Sequence, residues 1–107
     1  MKLNEYQEVS KRTMPKEDMK KVSANYALGL TGESGEVADI IKKWVFHGHS
    51  LDRMELKKEL GDVLHYLSGL CTIHHFTLEE VATANIEKLM KRYPSGFSTE
   101  RSVNRVD

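Results

Sequence analysis

The sequence is short of cysteine, proline, net charge and long apolar runs, and each shortage closes off a class of protein. One cysteine, Cys71, excludes an internal disulfide and fits a reducing compartment. It stands in the apolar run Leu67-Ser68-Gly69-Leu70-Cys71, where a buried, inert thiol is expected rather than a nucleophile. Sixteen basic and sixteen acidic side chains cancel, so there is no general pull toward duplex nucleic acid or an anionic membrane. No apolar run approaches the roughly 20 residues that span a bilayer. The N-terminal lysines are followed by no apolar core, so no signal peptide is expected and the cytoplasm is the default compartment. No glycine-rich phosphate loop of the Walker type is present, and no histidine has a serine or cysteine at the spacing of a nucleophilic triad.

What is present is helical. Only two prolines interrupt 107 residues, no stretch alternates in the period-two pattern of a strand, and the length suits one domain. The expected architecture is all-α, a bundle of four or five helices, with residues 1–97 as the domain and 98–107 as a polar tail without helical period. Leu3, Tyr6 and Val9 predict a short amphipathic helix over residues 3–12, and residues 13–23, with Pro15 and five charges, read as a connection. A long helix is expected from about Asn25 to Phe46, with Leu30, Val37, Ile41 and Trp44 as its apolar stripe. Gly48 suits its C-cap, and His47 and His49 beside it read as solvated. Asp52 with Glu55 has capping spacing for the next helix, which carries Leu56, Leu60, Val63, Leu64, Leu67 and Leu70 to about His75. Thr77-Leu78-Glu79-Glu80 is a capping box opening a last helix that Tyr93-Pro94 ends near Arg92.

Chemistry concentrates between Thr31 and Asp62, TGESGEVADIIKKWVFHGHSLDRMELKKELGD. Glu33 and Glu36 are three apart, and so are Glu59 and Asp62. On a helix such pairs share a face, displaced about 4.5 Å along the axis. A chain reversal at His47–Ser50 would set the two couplets facing each other. Carboxylates so close to Val37, Leu60, Val63 and Leu64 are costly unless paired or metal-bound. Oxygen-only ligands suit Mg²⁺ or Mn²⁺. The plainer alternative is surface ion pairing with Lys42, Lys43, Lys57 and Lys58. Asp39 is either a further ligand or a partner of Lys42 or Lys43. Gly29, Gly32 and Gly35 each cost about 1 kcal/mol inside a helix. Close helix approach and room for a ligand beside Glu33 and Glu36 explain them equally well.

Asp62 and His65 resemble half of a di-iron carboxylate motif that lacks its second copy. His74 and His75 suit a helix C-terminus. Asn85, Lys88 and Arg92 lie on one polar face of the last helix, as either a phosphate-binding set or an ordinary solvated face. Trp44, Phe46 and the wide apolar faces of residues 37–45 and 60–71 exceed what one small bundle can hide, so a homo-oligomer, tetramer or dimer, is expected.

Together, GLTGESGEVADIIKK, ELKKELGDVLHYL and NIEKLMKRYPSGF resemble the MazG-like family of all-α nucleoside triphosphate pyrophosphohydrolases over roughly Asn25 to Phe97. The resemblance implies that Glu33, Glu36, Glu59 and Asp62 hold Mg²⁺, with Mn²⁺ able to substitute, at a catalytic centre. It implies that Asn85, Lys88, Arg92 and Tyr93 are the polar positions near the triphosphate. It implies hydrolysis of a nucleoside triphosphate to monophosphate and pyrophosphate, in clearance of non-standard nucleotides, by dimers or tetramers whose sites draw on more than one chain. The chain has one copy of the domain, where some relatives have two. Two rival functions stand beside this one: a non-catalytic helical interaction or nucleotide-binding module, and a carboxylate-bridged di-metal redox protein built on Asp62 and His65.

Overall fold

In a computed structural model, which describes residues 1–106, the chain is helical, and no strand occurs among the described residues. Helix α1 spans Leu3–Ser10 and runs into a 3₁₀ turn at Lys11–Thr13; α2 spans Met19–Phe46, α3 Arg53–Ile73, α4 Leu78–Arg92 and α5 Thr99–Val103. Two of these depart from expectation. Helix α2 begins six residues earlier than apolar periodicity indicates, because the Asp18 side chain accepts from the Lys20 N–H at 3.3 Å and caps the chain just beyond Pro15. The polar segment after residue 97 is not helix-free: the Ser98 hydroxyl accepts from the Arg101 N–H at 3.1 Å and starts α5. A cap and one turn of backbone bonds suffice there without an apolar stripe. The last residue of the expected tail, Asp107, lies outside the described residues.

The other boundaries follow their punctuation. Asp52 caps α3 by accepting from the Glu55 N–H at 3.1 Å. At the start of α4 the capping box is reciprocal, with Glu80 N–H to the Thr77 hydroxyl at 3.0 Å and Thr77 N–H to the Glu80 carboxylate at 2.6 Å. Helix α2 stops at His47, and Gly48 takes the left-handed conformation, φ 73°. Helix α3 ends in a Schellman motif, in which the N–H groups of His75 and Phe76 reach back to the carbonyls of Thr72 and Cys71. His75 holds the glycine-type position at φ 63°. His74 hydrogen-bonds Ser23 across to α2 through Nε2 at 2.7 Å, so packing as well as the helix dipole places it.

The scaffold is the antiparallel pair α2 and α3, with the 3₁₀ turn and α1 laid on α3 and the start of α4 on α1 and α3. Its buried apolar core is small: Val22, Tyr26, Cys71 and Leu78. In α1 the buried side chain is not one of the apolar triplet but Gln7; Leu3 and Val9 are exposed. The Gln7 amide donates to the Thr72 hydroxyl at 3.1 Å and the Phe76 carbonyl at 2.9 Å, and its oxygen accepts from the Leu78 N–H at 2.7 Å. One amide thus ties α1, the end of α3 and the first turn of α4. Beyond this core, Trp44, Phe46, Leu60, Ile86 and Met90 are exposed, and the radius of gyration is 16.8 Å. A compact chain of this length would have about 13 Å.

Removing the Gln7 amide leaves the buried Leu78 N–H unsatisfied. Gln7→Leu is therefore expected to destabilise the protein by about 2–3 kcal/mol in urea unfolding, whereas Asn4→Ala, which loses exposed bonds to Glu79, should cost no more than about 0.5 kcal/mol.

Candidate metal centre

Antiparallel packing of α2 against α3 brings the two couplets together, though unequally. Glu33 from α2 and Glu59 and Asp62 from α3 each offer an oxygen within 4.8 Å of the others. Glu33 and Glu59 are half-buried and Asp62 is exposed. Glu36 is exposed on α2 and stands outside this triplet, but its charge is felt at Glu59. The Oε2 atom of Glu59 is buried without any hydrogen-bond partner.

This crowding is costly to the ionised form. The Glu59 carboxyl is held above the usual carboxylate range, first by side-chain hydrogen bonding with Glu33, then by burial and by the charges of Glu33, Asp62 and Glu36. Lys42 and Lys43 are engaged elsewhere. Asp39 takes Lys43 at 2.8 Å and Lys42 at 3.4 Å, and those pairings, Lys43 first, hold its own pKa down. Asp39 is thus a lysine partner, which settles the choice its spacing leaves open. A buried, orphaned carboxylate oxygen beside two more carboxylates fits a hard divalent cation such as Mg²⁺ or Mn²⁺, which wants oxygen donors and offsets like charge.

His65 is not part of the triplet. Its Nδ1 hydrogen-bonds the Ser10 hydroxyl at 2.7 Å, and its ring packs with Tyr26 and Tyr66 at centroid distances of 5.8 and 5.3 Å. The half-motif of Asp62 and His65 thus contributes only Asp62 to the acidic cluster. Cys71 is buried, and burial followed by the charge of Glu80 raises its pKa, as befits an inert thiol.

The glycines divide between the two explanations. Side-chain atoms of Tyr66 fill the space where Gly29 would carry a Cβ, so Gly29 serves close helix approach. Gly32 and Gly35 face open space beside Glu33 and Glu36. Asn85 and Lys88 are exposed on α4, Arg92 and Tyr93 are half-buried, and Tyr93 packs on Phe97 at 5.3 Å. Helix α4 rests on α1 and α3, while the carboxylate triplet is made by α2 and α3 alone. Sequence patterning did not indicate the open depression of about 430 Å³ on the first turns of α3, lined by Arg53, Met54, Leu56, Lys57 and Leu60. Its signal was the i, i+4 pair Arg53 and Lys57 flanking exposed apolar residues.

A carboxyl whose pKa is higher folded than unfolded binds its proton more tightly in the folded state. Its favourable contribution is complete below the unfolded value and is lost as pH rises through the folded one. Metal-free protein should therefore lose stability as pH climbs above about 4.5, the ordinary value for this group. Glu59→Gln should flatten that slope and keep or raise the melting temperature at pH 7. Thermal unfolding in EDTA across this range checks it, and a fall of several degrees for Glu59→Gln would mark the group as a structural ion-pair partner.

Comparison with known proteins gives the family. Residues 21–97, which contain all four acidic positions and all of α4, match the family described as the MazG nucleotide pyrophosphohydrolase domain. The chain is 33% identical over 82 residues to the Gene 37 protein of Mycobacterium phage L5, covering 73% of this chain and 72% of that one. No solved structure matches the chain. On the strength of the match across both couplets and the last long helix, the chain belongs to the MazG nucleotide pyrophosphohydrolase domain family.

Proposed function

We propose that the protein is a Mg²⁺-dependent hydrolase that converts a nucleoside triphosphate to its monophosphate and pyrophosphate, serving to clear non-standard nucleotides. The observation that carries this reading is the buried, unpartnered Oε2 of Glu59 between Glu33 and Asp62. A triphosphate brings about four negative charges, and it can approach these carboxylates only if cations lie between. Glu33, Glu59 and Asp62 would hold the ion, and Glu36, one turn along α2, would join them by a change of side-chain rotamer. Mg²⁺, or Mn²⁺ in its place, supplies charge neutralisation and polarisation of a phosphoryl oxygen.

The protein's own groups supply the rest. Hydrolysis of the α–β anhydride consumes one water. Its oxygen bonds to a flanking phosphorus, its proton passes to Glu33 or Glu36, and the anhydride bond breaks to release pyrophosphate. Asn85, Lys88 and Arg92 would present an amide donor, a point charge and a guanidinium fork to the polyphosphate, with Tyr93 beside them. In a homo-oligomer, dimer or tetramer, whose sites draw on more than one chain as the family resemblance implies, the α4 set would serve its own centre or that of a neighbouring copy. The exposed Trp44, Phe46, Ile86 and Met90 and the large radius of gyration support that assembly. Residues 1–97 would act as one domain and 98–107 as its tail, in the cytoplasm.

Three outcomes follow. With Mg²⁺ or Mn²⁺, a panel of standard and modified nucleoside triphosphates should give monophosphate and pyrophosphate in equal amounts on ion-exchange chromatography, with no diphosphate. Diphosphate plus orthophosphate would mean a different hydrolase, and no product from any base would favour a binding module. Lys88→Ala should lower kcat/KM by a charge-assisted contact, about 1.5–3 kcal/mol or roughly 10- to 150-fold. Light scattering at micromolar concentration should exceed the 12.3 kDa of one chain, and a 12.3 kDa particle would refute the assembly.

A further inference from the structure

Two tyrosines and two glycines form a reciprocal interlock one turn from the carboxylates. Tyr26 of α2 lies over Gly69 of α3, and Tyr66 of α3 lies over Gly29 of α2, each ring occupying the space a Cβ on the facing glycine would need. The two rings also meet edge to face, 5.2 Å apart at 77°. Along α2 the order is Tyr26, Gly29, Glu33, at steps of three and four; along α3, read backward, it is Gly69, Tyr66, Asp62, at the same steps. Antiparallel packing therefore opposes Tyr26 to Gly69, Gly29 to Tyr66, and Glu33 to Asp62 in one continuous register. Tyr26 and Gly69 are buried, whereas most apolar side chains along the rest of the pair are only half-buried or exposed.

We propose that Tyr26 and Tyr66, seated over Gly69 and Gly29, are positioning residues that fix the register of α2 against α3 and so bring Glu33 to Glu59 and Asp62. This rests on the reading of the triplet as a metal centre. Like charges push the two helices apart or along one another when no ion is bound, and repulsion alone selects no register. A slip of one helical turn, about 5.4 Å, would carry Glu33 out of the cluster. A ring in a glycine notch resists that slip because it fills a groove cut into the facing backbone. Having one notch on each helix resists it in both directions. Gly61, only one residue from Asp62, faces open space and supplies the internal control.

The test is Mn²⁺ affinity of the full chain, read from the free-ion paramagnetic resonance signal. Gly29→Ala and Gly69→Ala should each weaken binding at least about ten-fold. Tyr66→Phe, which keeps the ring, and Gly61→Ala should stay within about two-fold of the parent. Lower melting temperatures with unchanged Mn²⁺ affinity would overturn the proposal, because they would show ordinary packing. Should Gly29→Ala fail to fold, Tyr66→Ala against Tyr66→Phe decides: loss of affinity with the first alone supports the interlock, and equal affinity overturns it.

If the parent chain takes up no Mn²⁺, the metal reading fails and the register is judged by itself. Spin labels at the exposed positions Ala38 and Lys58, in protein diluted with unlabelled chain, report the α2–α3 distance, the buried Cys71 being left unlabelled. A shift of several ångströms in Gly29→Ala supports the interlock, and an unchanged distance overturns it.

Discussion

The constraint on which this structure turns is the meeting of carboxylates between α2 and α3. Three oxygens within 4.8 Å raise the pKa of Glu59 and leave one of its oxygens buried without a partner. Such an arrangement opposes folding by itself, so the rest of the helix pair has to hold it in place. Asp39 draws Lys42 and Lys43 to itself and leaves the cluster acidic. Val22, Tyr26 and Cys71 pack the far end of the pair away from the charge. Stabilising contacts and destabilising chemistry are thereby separated along two long helices, an economical way to keep a charged site open in a small protein.

That separation explains which parts of the fold could be read in the sequence. Caps are local, so Asp52, Thr77 with Glu80, and Gly48 marked their helix ends without any knowledge of the tertiary fold. The start of α2 was harder, since its first turns are charged and only the Asp18 cap marks them. Gln7 was invisible for a different reason. A polar residue on an amphipathic segment is expected outside, and its three partners, Thr72, Phe76 and Leu78, lie some seventy positions along the chain. Apolar periodicity overstated burial for the same reason in reverse. Trp44, Leu60 and Leu67 carry the right spacing, but within one chain they stay exposed.

The site divides along similar lines. Helical spacing placed Glu33, Glu59 and Asp62 on facing surfaces, because two i, i+3 pairs on consecutive helices leave few other arrangements once the chain turns back. It could not distinguish Glu36 from Glu33, which differ by 100° of helix rotation per residue over three residues and hence in burial. Nor could it foresee that His65 would turn its Nδ1 to Ser10 instead of joining Asp62. Tyrosine and glycine were likewise mute one by one. Their roles appear only when Tyr26 is set against Gly69 and Tyr66 against Gly29.

Helix α1 adds a last element that the family match does not cover, since that match begins at residue 21. Its two inward contacts reach opposite ends of the machinery. Gln7 fixes the first turn of α4, the helix that carries Asn85, Lys88 and Arg92. Ser10 fixes His65, one turn beyond Asp62 and beside the ring of Tyr66. This short N-terminal helix thus ties the first turn of α4 to the end of α3 and holds His65 in the same stroke.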